Sequence, residues 1–220
     1  MEIKNKLIIT AGGSGLRMGG DLPKQFLLLK GKPIIFRTLE IFYRFSSSLD
    51  IYVILPPSYM DLWPIWADQY DMNIPCTLVA GGFTRFHSVK NALALIPSGG
   101  ITAVHDGVRP LVSRELIQSC FDFAREHPAV VPVLEITDSM RRITDVGSVS
   151  IDRKLLLRVQ TPQIFWTDIL KKAYNQIYIP DFTDDASVVE KDGVPLFLTQ
   201  GTARNIKITM PEDLALAEVL

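Results

Sequence analysis

KLIITA (6–11), IYVILP (51–56), CTLVAG (76–81), ITAVHD (101–106) and AVVPVL (129–134) are short runs in which several successive residues are apolar. A strand with one wet face alternates apolar and polar residues; runs of this kind belong to strands covered on both faces. Helical patterns lie between them. PIIFRTLEIFYRF (33–45) opens with a proline suited to a first helical position. TRFHSVKNALALI (84–96) places Phe86, Val89, Leu93 and Ile96 on one stripe. SRELIQSCFDFAREH (113–127) offers Ser113 as an N-cap, with Leu116, Ile117, Cys120, Phe121 and Ala124 on one face. The alternation predicts an α/β fold with a doubly wound, mostly parallel, Rossmann-like sheet.

The alternation breaks near 135–160, where short apolar groups mix with charge and a DVGS turn intervenes. This stretch reads as a hairpin arm leaving the core, at about 135–158, that packs on another subunit. Helical periodicity resumes in TDILKKAYNQ (167–176). PLFLTQG and NIKIT read as closing strands, and MPEDLALAEVL as a C-terminal helix with acids in its first turn. The 220 residues suit one domain over 1–220, without internal repeat or second boundary.

Charge limits the partners. With 23 basic against 24 acidic residues, the net charge of −1 argues against a protein that coats nucleic acid through bulk charge, though not against a local basic pocket. No run approaches the roughly 20 apolar residues of a membrane span. Lys4 and Lys6 precede too few apolar residues for a signal peptide. Cys76 and Cys120 form no CxxC, and the three histidines show no zinc spacing, so a reduced, cytoplasmic setting without zinc is expected.

The densest signal is TAGGSGLRMGGDLPKQF, from Thr10 to Phe26, which packs five glycines around Arg17 and Lys24. It is not a GxxxxGK[ST] loop. Nor is it a dinucleotide-binding loop, because Met18 stands at the third glycine position and helix begins only near Pro33. Two readings stay open at this point, a flexible turn and an anion cradle. Glycines let the main chain close around an anion so that N–H groups bind it. Arg brings a planar fork and Lys a movable point charge. Pro23 stiffens the approach to Lys24, and a loop this long with two cations suits a triphosphate better than one phosphate. In VHDGVRP (104–110), Asp106 falls at a strand's carboxyl end, where open α/β sheets place their ligand crevice. It could hold a hard divalent cation, cap a turn, or pair with Arg109.

GGSGLRMG…LPKQF resembles the signature loop of the sugar- and polyol-phosphate nucleotidyltransferases. The wider match is to the family of cytidylyltransferases that act on 2-C-methyl-D-erythritol 4-phosphate. Its pieces stand in order over nearly the whole chain: GGFTRFHSV (81–89), VHDGVRP, DSMRRI (138–143), DRKLLLRVQTPQIF (152–165), TDDASVVE (183–190) and NIKITMPEDL (205–214). The resemblance implies transfer of a cytidylyl group from CTP, with Mg²⁺, to a polyol phosphate by a homodimer joined through the arm. On that reading Ala11, Gly12, Gly13, Ser14 and Gly15 cradle the CTP phosphates, and Gly82 and Ser88 contact the base. Arg85 reaches phosphate or is only solvated. Arg17, Lys24 and Lys207 stabilise charge at the α-phosphate, and Asp106 holds Mg²⁺. Arg109, Ser139, Arg153, Thr161 and Thr183 grip the acceptor, Arg153 from across the dimer.

Without the resemblance, Ser88 is an ordinary early helix position and Lys207 a surface lysine with a snorkelling stem. Asp184 and Asp185 read as caps, and His87 has no identifiable partner. Ser139 stands where the family commonly has Thr, and HDGVRP where it has HDAARP; neither departure removes a charge. An acceptor such as ribitol 5-phosphate would use the same cations. A non-catalytic nucleotide sensor would lack one of Arg17, Lys24, Asp106 and Lys207, and all four are present. A dehydrogenase fails at Met18.

Overall fold

The computed structural model describes residues 5–13 and 22–220. β1 (Lys6–Thr10) is followed by a small ribbon of β2 (Leu28–Leu29) and β3 (Lys32–Pro33), then α1 (Ile34–Phe45), β4 (Asp50–Leu55), α2 (Trp63–Gln69), β5 (Thr77–Ala80), α3 (Arg85–Leu95), β6 (Ile101–Asp106), α4 (Arg114–Phe123) and β7 (Ala129–Glu135). The hairpin β8 (Met140–Thr144) and β9 (Gly147–Ile151) comes next, then β10 (Leu157–Val159), β11 (Gln163–Trp166), α5 (Thr167–Ala173), α6 (Asp185–Lys191), β12 (Phe197–Gln200) and α7 (Pro211–Val219).

The apolar runs become the middle of one sheet. β1 lies between β4 and β6, parallel to both, with Thr10 opposite Ile54 on one side and Asp106 on the other. β5 extends the sheet in parallel beyond β4. β11 runs antiparallel to β6 and continues along β7 at Ala129 and Val130. β10 pairs antiparallel with Val133–Glu135 of β7, and β12 pairs parallel with Val130–Val133. The sheet is therefore mostly parallel.

Successive side chains of a strand point to opposite faces, and each face meets its own helices. Leu7, Ile9, Ile51, Val53, Leu55 and Ala103 pack with α1, α2 and α4. Ile8, Tyr52, Ile54 and Val104 pack with α3, α5 and α6. Leu7, Ile8 and Ile9 are wholly buried, each contributing about 1.5–3 kcal/mol by leaving water. Their consecutive burial is why LII (7–9) is apolar without alternation.

Several boundaries differ from the expectations. Pro33 is the N-cap of α1 rather than its first residue. α4 starts after the Ser113 cap, whose side chain accepts from Leu116 N, but ends at Phe123. There the bonds shorten to i→i−3 type, with Arg125 N donating to Asp122 O, and Pro128 lies just beyond. The 135–160 break is the β8–β9 hairpin plus the edge strand β10, mostly exposed. NIKIT (205–209) is not a strand. Asn205 N and Ile206 N donate to nearby carbonyls, while Ile208 N donates to Val108 O at 2.9 Å. Ile208 is wholly buried in a small apolar cluster with Leu29, Ile34, Val108 and Ala217. That anchor, rather than a ladder, fixes the segment beside the end of β6.

Candidate active site

The strands β1 and β6 end side by side at Thr10 and Asp106. Beyond their carboxyl ends opens a cleft of about 970 Å³. One wall is the main chain of Ala11, Gly12 and Gly13 with Lys24 and Gln25; another is Gly82 to Arg85 with Ser88; Asp106, Val108, Lys207 and Thr209 complete it. A crevice there follows from the topology of open α/β sheets.

Lys24 begins a short 3-10 turn, Lys24–Phe26. Phe26 anchors that turn by packing on Tyr59 and Trp66, with ring centroids 5.1 and 4.6 Å away. Lys24 itself is half-buried in the cleft wall. Ser14, Gly15 and Arg17 lie outside the described residues.

On the opposite wall, Thr84 caps α3. Ser88 Oγ accepts from Gly82 N at 2.9 Å and donates to Thr84 O at 2.8 Å. A Cβ on residue 82 would meet His87 Cβ at 2.6 Å, so only glycine brings the main chain this close. His87, which had no partner in sequence, has Nδ1 2.8 Å from Thr84 Oγ1. Phe83 projects fully exposed at the cleft wall.

Arg85 is neither loose nor merely solvated. Its guanidinium pairs with the wholly buried Asp185 at 2.5 Å, and Tyr174 Oη donates to the other carboxylate oxygen at 2.6 Å. Burial opposes the charge on Arg85, but Asp185 overcomes this and stabilises the cation. Asp185 is thus the partner of Arg85 rather than a cap. Asp184 is the cap of α6, in a box with Ser187, as expected.

Asp106 is the electrostatic centre. Arg109 Nε donates to its Oδ2 at 2.9 Å, and Lys207 Nζ lies 3.1 Å from the same oxygen. Oδ1 has Thr10 Oγ1 at 3.5 Å. Burial alone would raise this carboxyl, but Lys207, Arg85 and Arg109 hold it well below the usual carboxylate range. It is therefore ionised throughout the neutral range. Lys207 gets there because Ile208 is buried beside it, while its own side chain stays 44% exposed toward the cleft.

Behind Asp106 stands a polar scaffold. Burial pulls His105 down to about 3, so its ring is neutral. Thr161 Oγ1 accepts from Asp106 N and is 3.1 Å from His105 Nδ1; His105 Nε2 is 3.2 Å from Arg109 O. One proton on Nε2 satisfies the chain: Nε2 donates to Arg109 O, and Nδ1 accepts from the Thr161 hydroxyl. Arg109 also donates to Asn205 O at 2.8 Å, and Asn205 Nδ2 donates to Thr161 O at 2.7 Å.

The expected residues that are described therefore fall into three groups. Ala11, Gly12, Gly13, Lys24, Gly82, Arg85, Ser88, Asp106 and Lys207 meet in the cleft. Arg109 and Thr161 are buried directly behind it. Ser139, Arg153 and Thr183 are exposed and do not line it; Arg153 donates to Thr137 O within the arm. Sequence reasoning passed over Thr10, Gln25 and Thr84. Gln25 is buried although it lines the cleft, and its only signal was a glutamine set between Lys24 and the anchored Phe26.

One mouth of the cleft thus gathers cations, a carboxylate and glycine main chain, a set suited to a polyphosphate and a divalent cation. The family model described as IspD, 2-C-methyl-D-erythritol 4-phosphate cytidylyltransferase, matches residues 6–220. The protein of that name from Bacteroides thetaiotaomicron is 47% identical over 218 residues, covering 99% of this chain and 100% of the relative. The one from Phocaeicola vulgatus is 50% identical over 214 residues, covering 97% and 98%. Among solved structures, the Thermus thermophilus 2-C-methyl-D-erythritol 4-phosphate cytidylyltransferase superposes with a TM-score of 0.79 at 30% identity, covering 98% of this chain and 97% of that one. The 4-diphosphocytidyl-2C-methyl-D-erythritol synthase from Anaerococcus prevotii gives 0.81 at 27% identity, covering 98% and 95%.

Proposed function

The chain belongs to the 2-C-methyl-D-erythritol 4-phosphate cytidylyltransferase family, and from that premise we propose that it transfers a cytidylyl group from CTP to 2-C-methyl-D-erythritol 4-phosphate, releasing pyrophosphate. The observation that carries this reading is the convergence in one cleft of segments far apart in sequence: Ala11–Gly13, Lys24, Gly82–Ser88, Asp106 and Lys207.

An oxygen of the acceptor's phosphate attacks the α-phosphorus of CTP, and the bond to pyrophosphate breaks in line. The nucleophile is already anionic, so the chain need supply no strong base. What it must supply is charge placed where charge develops, and geometry that brings two polyanions together. Lys24, with Arg17 from the same loop, would stabilise the α-phosphoryl oxygens. Lys207, held beside Asp106, would act as a further cation at the same α-phosphate. Gly82 and Ser88 would border the pyrimidine, with acceptor atoms alone on offer, since the Gly82 N–H and the Ser88 hydroxyl proton are donated within the wall.

The residues also fit Mg²⁺. Among the described residues no group of three metal-ligating side chains occurs, but Mg²⁺ is commonly held by one or two carboxylates and substrate phosphates. Asp106 is ionised, and its Oδ2 is taken up by Arg109 and Lys207, which leaves Oδ1 to hold the ion. Bound there, Mg²⁺ would neutralise phosphate charge.

The arm supports a homodimer. Ile143, Val146 and Leu155 stand 86%, 98% and 80% exposed. A second copy covering them would bring Arg153 and Ser139 to the acceptor in its partner's site. Among the described residues no helix is long and apolar enough to cross a membrane. Two free cysteines accord with a cytoplasmic setting.

Pyrophosphate release with CTP and Mg²⁺ tests the reading across acceptors. Turnover is expected with 2-C-methyl-D-erythritol 4-phosphate. Preference for ribitol 5-phosphate would overturn the acceptor, and silence with every polyol phosphate would turn the reading to a nucleotide-binding module.

A further inference from the structure

Gln25 is 2% exposed although it borders the cleft. Its Nε2 donates to Ala11 O at 2.7 Å and to Gly13 O at 3.0 Å. Both partners are carbonyls, which only accept, so the amide nitrogen and not the oxygen must face them. One side chain thus spends both amide hydrogens on the glycine segment that leaves β1. The residue that carries it sits between Lys24 and Phe26, on the turn anchored by Tyr59 and Trp66.

We propose that Gln25 is a positioning residue for cytidylyl transfer: its carboxamide locks the Ala11–Gly13 main chain to the turn bearing Lys24, so that phosphate-binding backbone and lysine keep one fixed separation. Peptide planarity sharpens the effect. Holding the Ala11 carbonyl toward Gln25 turns the Gly12 N–H to the opposite side of the same plane. Two carbonyls tied to one side chain fix two peptide planes in a segment whose glycines otherwise leave them free to rotate. Substituting Glu at this position would set an acceptor-only carboxylate against two carbonyls. Substituting Met would keep the volume and remove both donors.

The inference rests on Lys24 acting as a cation of the reaction, and a double-mutant cycle separates the two claims. Pyrophosphate-release kinetics are measured for wild type, Gln25→Met, Lys24→Ala and the double variant. Gln25→Met is expected to lower kcat/KM for CTP about 10²-fold, the cost of misplacing a catalytic group by roughly 1 Å, with KM for the acceptor phosphate unchanged. In the Lys24→Ala background the same substitution is expected to cost at least about threefold less than in wild type, because one of the two groups whose separation it fixes is gone. Equal factors in both backgrounds, or wild-type turnover by Gln25→Met, overturn the inference while leaving Lys24 its role. Wild-type turnover by Lys24→Ala overturns both. If Gln25→Met does not fold, Gln25→Asn, which keeps the amide one methylene short, goes through the same cycle with the same outcomes.

Discussion

If Lys24 acts as proposed, its charge matters more to the reaction than to the fold. Its side chain is half-buried in the cleft wall, while the next two residues, Gln25 and Phe26, are buried and hold the turn. Lys24→Ala should therefore leave the unfolding transition near that of wild type and lower kcat about 10²–10³-fold, the scale of losing one preorganised charge donor; near wild-type turnover would remove Lys24 from the reaction. Of the readings of Asp106 that sequence left open, the pairing with Arg109 is present, through Oδ2. The motif placed this carboxylate at a strand end, but its setting depends on Lys207, 101 positions away, which no local pattern announces. Gly107 is closely packed, since a Cβ there would meet Ile9 Cγ2 at 3.1 Å and Ala11 Cβ at 3.2 Å.

Among elements, the helices behind the Gly82–Ser88 wall are tied together by one buried carboxylate. Asp185 on α6 takes Arg85 from α3 and Tyr174 from the end of α5. Removing one partner of a buried ion pair leaves an uncompensated charge, at about 3–5 kcal/mol. Asp185→Ala should lose stability on that scale in denaturant melts, and Tyr174→Phe about 1–3 kcal/mol for one unmade buried hydrogen bond. An Asp185→Ala chain as stable as wild type would show that the pair holds nothing together. The core strands, α1, α3, and the caps Ser113 and Asp184 were legible because burial on both faces, helical period and short polar caps are local signals. The pairing of Asp185 was not, because Asp at a helix start has the same sequence signature whether it caps or turns inward. NIKIT misread for a related reason. An extended segment packed on one side carries the alternation of a strand, and Ile208 lies wholly buried without a ladder to join.

At the scale of the whole molecule, the cleft and the arm differ in how far one chain covers them. The sheet and its two helical layers close within a single chain, whereas among the described residues β8 and β9 pair with each other alone and stay exposed along most of their length. An isolated two-stranded hairpin is marginal in water, and Ile143 and Val146 stand exposed on this one; the homodimer proposed above would cover them by isologous contact. If Arg153 then serves the partner's cleft while Lys207 serves its own, each site draws on two chains. Arg153→Ala and Lys207→Ala homodimers should each be inactive. Mixed under conditions where subunit exchange is followed directly, they should regain pyrophosphate release. Each mixed dimer contains one cleft with its own Lys207 and the other chain's intact Arg153, and one cleft lacking both. Exchange without recovered activity would place Arg153 in its own chain's site or outside the reaction, and the arm would then serve assembly alone.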